Sequence, residues 1–202
     1  MPNFWTEMRR LKDQLQTAGP RLTTLAAFDK LTRFLQLAPP KQFSQVTSQI
    51  LLGGQPAKRV LRWLKRKGVT GVVNLRQEYD YSETMSTLGI RYLHLPTPDN
   101  QPPTLEHLNQ GVIFIHDTLA KGGRVYIHCW EGLGRSPTVV AAYLVSTGLT
   151  PNEAWIRIRK TRPFIRPTPG QVTRLEEFAL QIPHVPVSNP AVEQIPPPPP
   201  HP

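Results

Sequence analysis

Cys129 is the lone cysteine of the chain, and the residues around it are of the types that attack phosphorus. It follows the strand-like run Val125-Tyr126-Ile127-His128 and opens the loop Trp130-Glu131-Gly132-Leu133-Gly134, which closes at Arg135-Ser136. An apolar, helix-like stretch runs on from Pro137 to Val145. Strand, glycine-bearing loop and helix start, in that order, make an anion cradle. Successive loop amides can face inward, and the helix dipole adds positive potential at the same point. A thiol placed there is expected to ionise below its usual range. Arg135 offers a planar fork matched to two phosphate oxygens. Together these are equipment for in-line attack and a cysteinyl-phosphate. The expected phosphate-binding set is Trp130, Glu131, Gly132, Leu133, Gly134 and Arg135. The plainer alternative, a buried structural cysteine at a strand end, gives the glycines and the Arg-Ser pair no work.

His128-Cys129, Gly132 and Arg135-Ser136 resemble the signature of the cysteine-dependent protein tyrosine phosphatase superfamily, in its dual-specificity branch. Low-molecular-weight phosphatases and arsenate reductases share Cys-x5-Arg but carry it near the N-terminus, whereas here it lies mid-chain. The likeness extends to the segments 50–56, 71–76 and 91–96, to Arg162-Pro163 and to Pro169-Gly170-Gln171, and so covers about residues 45–182. It implies that Cys129 is the nucleophile and that Arg135 and the loop amides hold the transferring phosphoryl group. It also implies that Ser136 stabilises the thiolate when sulfur leaves in the second step, and Ser136 can cap the helix as well. The family's general acid falls at Asp99, in Thr97-Pro98-Asp99-Asn100-Gln101-Pro102-Pro103. There it would protonate the leaving oxygen and then activate water. A turn-forming Asp among prolines is the alternative, with Glu78 and Asp80 as fallback acids. His128 precedes the cysteine along a strand, so its ring is expected on the opposite face, supporting the loop. Gln171 either orients the hydrolytic water or is a first-turn helix residue. The mechanism needs no cofactor and no metal, and the six histidines show no paired ligand spacing.

The elements that must position these residues alternate. Strands are expected at 49–53, 71–75, 91–95 and 124–128. Helices are expected at 56–67, in a short turn ending at 88, and at 104–121, 135–147, 151–161 and 170–181. Strand-helix alternation predicts an α/β fold: a central, mostly parallel sheet with helices on both faces. Ligands of such sheets sit at the carboxyl ends of strands, where Cys129 falls. Two further amphipathic helices are expected at 4–17 and 21–37. In the second, Leu22, Leu25, Phe28, Leu31 and Leu35 recur at helical spacing. They are expected to pack on the core, or else to meet a membrane surface or partner. The organisation is thus an N-terminal helical extension (1–44), a catalytic domain (45–182) and a proline-rich tail (183–202). The tail is expected to be disordered, with a proline-binding domain as its conceivable partner.

Of 202 residues, 24 are basic and 14 acidic, a net charge of +10 that suits anionic partners such as phosphoproteins or anionic phospholipids. No nucleic-acid recognition motif accompanies the charge, so nucleic acid is not an expected partner. A single cysteine excludes an internal disulfide, and no segment reads as a signal peptide or transmembrane span; a cytoplasmic location is expected. The phosphate loop carries no Lys and no second Arg, and Glu131 is acidic. That favours a dual-specificity phosphatase acting on phosphotyrosine, phosphoserine and phosphothreonine proteins. The alternative is a phospholipid phosphatase similar to phosphatidylglycerophosphate phosphatase, which the Asn74…Glu78-Tyr79 and Arg162-to-Gln171 segments resemble. A non-catalytic phosphate-binding module is the third reading, at odds with an intact Cys129, Arg135 and Asp99.

Overall fold

The structure, a computed structural model, describes residues 19–32, 34–35, 37 and 44–182. The expected helix at 4–17 and the proline-rich tail lie outside the described residues. Within them the order is α1 (19–32), β1 (Ile50–Gly53), α2 (Lys58–Arg66), β2 (Val69–Arg76), α3 (Ser82–Leu88), β3 (Arg91–Thr97), α4 (Leu105–Ala120), β4 (Arg124–His128), α5 (Arg135–Ser146), α6 (Pro151–Thr161) and α7 (Pro169–Gln181). The expected core elements are present, with ends displaced by three residues or fewer, as frayed ends allow.

The four strands form one sheet in the order β1-β4-β2-β3, and all three pairings are parallel. β1 and β4 are almost wholly buried, as strands covered on both faces must be. β3 lies at the edge and carries Pro96 there, where a missing N–H costs no ladder bond. One face packs on α4, α5, α6 and α7 through a cluster that includes Ile50, Leu52, Val73, Ile127, Val139, Leu175 and Phe178. The other packs on α2 and α3 through Leu51, Leu61, Leu64, Val72, Met85 and Tyr126. β4 lies between β1 and β2, so its carboxyl end opens into the crevice where α/β sheets bind ligands.

α1 departs from expectation. Its described part opens on Gly19-Pro20. Its inward residues are Thr23, Asp29 and Thr32, all under 8% exposed, while Phe28 and Leu31 are about half exposed at 47% and 52%. Leu22 and Leu25 are half-buried, so the most deeply buried side chains of this helix are polar rather than those of the apolar stripe. A buried carboxylate docks it, for the reason given by the site.

Candidate active site

Cys129 follows β4 directly and is buried in the floor of a cleft of about 320 Å³. Six carbonyls of the loop that follows all have partners outside the bowl. The Cys129 carbonyl faces His128 Nδ1 at 3.3 Å. Trp130 O accepts from Gln55 N (3.0 Å) and Leu133 O from Arg166 N (2.8 Å). Glu131 O accepts from Arg162 Nη2 and Gly132 O from Arg162 Nε, both at 2.8 Å. Gly134 O accepts from Thr138 N and Oγ1. Peptide units whose carbonyls are held outward present their N–H groups inward, and Gly132 N–H meets Cys129 Sγ at 3.2 Å. Gly132 has φ +71°, and a Cβ there would lie 2.4 Å from the carbonyl carbon of Gly53, so only glycine passes this point.

Ser136 Oγ donates to the same sulfur at 3.3 Å from the first turn of α5. Burial pushes the Cys129 thiol up, but the charge of Arg135, the Ser136 hydroxyl and the Ser136 and Gly132 amides outweigh it, and the thiol's pKa lies below its ordinary range. His128 packs against the rings of Tyr81 and Tyr126, on the face away from the thiol's cluster. Burial is the main cause that takes its pKa down to about 3, so it is neutral and offers no base at ordinary pH.

Arg135, 2% exposed, lies at the first position of α5. Its Nη1 donates to Thr97 O at 2.8 Å, and its Nη2 stands 2.9 Å from Asp99 Oδ1. Glu78 Oε2 lies 3.7 Å from Nη1. Asp99 thus meets the fork of Arg135 in the same cleft as Cys129. Its loop is tied to the start of α7: Thr168 Oγ1 donates to Asn100 O (3.2 Å), Gln171 Nε2 to Gln101 O (3.0 Å) and Arg174 Nη1 to Pro103 O (3.1 Å). Gln171 also completes a capping box, its Oε1 accepting from Thr168 N. Its amide is engaged at both ends, as a first-turn helix residue and a tether of the Asp99 loop.

Of the fallback acids, Glu78 pairs with Arg76 Nε at 2.8 Å as well as approaching Arg135. Asp80 is turned away, bonded to Ser82 N and Oγ. The buried Asn74 organises this turn: its Nδ2 donates to Tyr79 O and its Oδ1 accepts from Arg76 N. Arg76 then stacks on the Trp130 ring at 4.4 Å.

The sequence reading gave no site role to three contributors. Arg162, 0% exposed, clamps the back of the loop and pairs with Asp29 of α1 through two bonds of 3.1 and 2.8 Å. Lys30 stands 3.6 Å from Glu131, offsetting the loop's acidic charge. Arg166 is exposed and lines the cleft. The family likeness at Arg162-Pro163 was the available signal for Arg162. The Lys30 contact spans a hundred residues and left none.

The model of the family described as "Dual specificity phosphatase, catalytic domain" matches residues 50–181. The chain belongs to this family of cysteine-based phosphatases. The human protein named "Phosphatidylglycerophosphatase and protein-tyrosine phosphatase 1" is 36% identical over 69% of this chain and 74% of its own length. The Arabidopsis thaliana phosphatidylglycerophosphate phosphatase PTPMT2 is 33% identical over 76% of this chain and 70% of its own. A crystal structure of PTPMT1 in complex with PI(5)P superposes with a TM-score of 0.64 at 34% identity, covering 67% of this chain and 93% of that one.

Proposed function

We propose that this phosphatase hydrolyses a phosphomonoester on the head group of an anionic glycerophospholipid. The Cys129 thiolate attacks phosphorus in line, forming the S–P bond as the ester O–P bond breaks. Arg135 and the inward loop amides hold the equatorial oxygens as charge builds on them. Asp99 gives its proton to the departing alkoxide, then takes one from the water that attacks the cysteinyl-phosphate. Ser136 donates to sulfur as it leaves, and inorganic phosphate departs. In this sequence Asp99 must give up its contact with Arg135, because a bound phosphate needs the same N–H groups.

The observation that carries the lipid reading is the distribution of exposed apolar side chains. Five of the nine large ones among the described residues, Phe28, Leu31, Phe34, Leu35 and Leu37, lie between positions 28 and 37. They belong to the segment whose Lys30 reaches Glu131 at the cleft. An apolar ridge beside the cleft, on a chain of net charge +10, suits an anionic lipid surface. No helix of the described residues is long and apolar enough to cross a membrane, so contact at the surface is the mode this reading uses. By their names both relatives act on phosphatidylglycerophosphate, and the human one is named a protein-tyrosine phosphatase as well.

Phosphoprotein turnover by the same chemistry is the second reading. It is favoured by the loop's lack of a basic side chain between Cys129 and Arg135. Phosphate release from phosphatidylglycerophosphate in mixed micelles, and from phosphotyrosine and phosphothreonine peptides, separates the two, with Cys129→Ser as the blank. Lipid turnover at least tenfold above peptide turnover in kcat/KM is expected. A preference for peptide overturns the lipid assignment.

A further inference from the structure

The helix α1 lies outside the segment matched by the family, yet its one deeply buried carboxylate points at the working loop. The connection can be followed atom by atom. Asp29, 2% exposed, holds Arg162 through Oδ1 to Nη1 (3.1 Å) and Oδ2 to Nη2 (2.8 Å). The same Nη2 donates to the carbonyl of Glu131 and Nε to the carbonyl of Gly132. The peptide unit between these two residues has the Glu131 carbonyl at one end and the Gly132 N–H at the other. In a trans peptide the two point in opposite directions. Holding the carbonyl on Arg162 therefore aims the N–H at Cys129 Sγ, which it meets at 3.2 Å. The face of Arg162 is covered by the Phe164 ring at 4.6 Å. A guanidinium so enclosed is held in place by its buried partners, and among the described residues Asp29 is the charged one.

We propose that Asp29 is a positioning residue of the active site: through Arg162 it sets the orientation of the 131–132 peptide, and so makes α1 a working part of the phosphatase rather than an appended segment. Asp29 touches neither sulfur nor substrate and acts through Arg162. A second contact between α1 and the loop, Lys30 to Glu131, lies one residue along and joins the same stretch of loop from its exposed side. The inference rests on Cys129 being the nucleophile, and it predicts a property that fold stability alone does not control.

That property is the pH midpoint at which Cys129 becomes an alkylatable thiolate. As the lone cysteine it can be read with iodoacetamide on the whole 202-residue chain without any substrate. Arg135 from α5, Asp99 and Glu78 beside that arginine, His128 behind the loop and Glu131 on it are left unchanged in every variant. Asp29→Asn is expected to raise the midpoint by about half to one unit, as the sulfur loses a well-aimed donor. It should also lower kcat about tenfold with a smaller change in KM, as outer-shell partners of other reactive centres do. Asp29→Glu keeps the charge but displaces the carboxylate by a methylene. It should move the midpoint less, in the same direction, and it carries the test if the Asn variant does not fold. Leu64→Ala, on the far side of the sheet, controls for lost stability and should leave the midpoint where it is. Wild-type midpoints in the folded Asp29 variants, or an equal shift in Leu64→Ala, overturn the positioning role. A wild-type midpoint in the ordinary thiol range would instead sink the nucleophile assignment itself.

Discussion

Two buried arginines stand on opposite sides of the phosphate loop, and their partners differ. Arg135, inside the bowl, faces carboxylates that are about half exposed, Asp99 at 49% and Glu78 at 46%. Arg162, behind the loop, faces Asp29, whose side chain is 3% exposed, and two loop carbonyls. An exposed carboxylate can swing away and be resolvated at little cost, so the guanidinium it covers is available to an incoming dianion. A buried carboxylate cannot leave without stranding a charge, so its guanidinium is fixed scaffold. The same side chain thus serves as ligand-binding group in one place and as clamp in the other, and the exposure of its partner decides which.

The comparison is broken most severely by Arg162→Met. It removes the buried ion pair with Asp29 and frees two loop carbonyls, so a loss of about 3–5 kcal/mol in unfolding free energy is expected by denaturant titration. Arg135→Lys should do the reverse. It keeps a charge in place but loses the fork, so kcat/KM is expected to fall about 10²–10³-fold while stability changes by no more than about 1 kcal/mol. Equal losses of stability in the two variants would erase the distinction. Asp99→Asn comes next, with about a 10²-fold drop in kcat for substrates with poor leaving groups. For an activated aryl phosphate, whose leaving oxygen needs no proton, the drop should be much smaller. Its melting temperature should stay close to wild type, since the ion pair it removes is half exposed.

Protonation sharpens the comparison without mutating either arginine. The Cys129 thiol is more acidic in the folded chain than a free thiol, whose pKa is near 9.0. Its ionisation therefore stabilises the fold fully above that value, and this contribution is lost as pH falls through the lower folded pKa. The stability gap between wild type and Cys129→Ala should widen as pH rises toward 9, and flatten beyond. His128 works at the other end. The unfolded ring takes a proton near 6.5, the buried one only near 3, so stability falls as pH drops through that window. His128→Gln should reduce the acid sensitivity in denaturation curves.

What was legible in the sequence follows the range of the interactions involved. The β4–loop–α5 unit was readable because strand periodicity, glycines and helix start are local, and Cys129, Arg135 and Ser136 lie within eight residues. Asp99 came from the family likeness, and the structure brings it to Arg135. The contact that ties α1 to the catalytic domain was not legible, because its pattern of leucines drew attention away from Asp29. The most deeply buried side chains of α1 are polar, and Asp29 pairs with Arg162, 133 residues away. No local pattern encodes such a pairing. Gln171 was ambiguous between water-orienting and structural roles because both need a glutamine at the same helix start, and the structure shows it in both settings: two bonds tether the loop and cap the helix, and the side chain also lines the cleft.

The smallest expected effect tests whether the partners of Arg135 are as dispensable as their exposure implies. Glu78 lies 3.7 Å from Arg135 and 2.8 Å from Arg76, and the charges of both arginines help hold its carboxyl below the usual range against the opposing effect of burial. Glu78→Gln keeps the shape and a hydrogen-bonding oxygen for Arg76 but removes a negative charge from the rim of the bowl. A dianionic substrate then meets a more positive field. KM should fall by about two- to threefold with kcat nearly unchanged, and the effect should fade as salt rises. Unfolding free energy should move by less than about 1 kcal/mol. A collapse of kcat would mean that Glu78 holds Arg135 in register for the transition state. The line between an arginine held for the substrate and one held for the fold would then lie within Arg135 itself, between the N–H groups facing Glu78 and those facing Asp99.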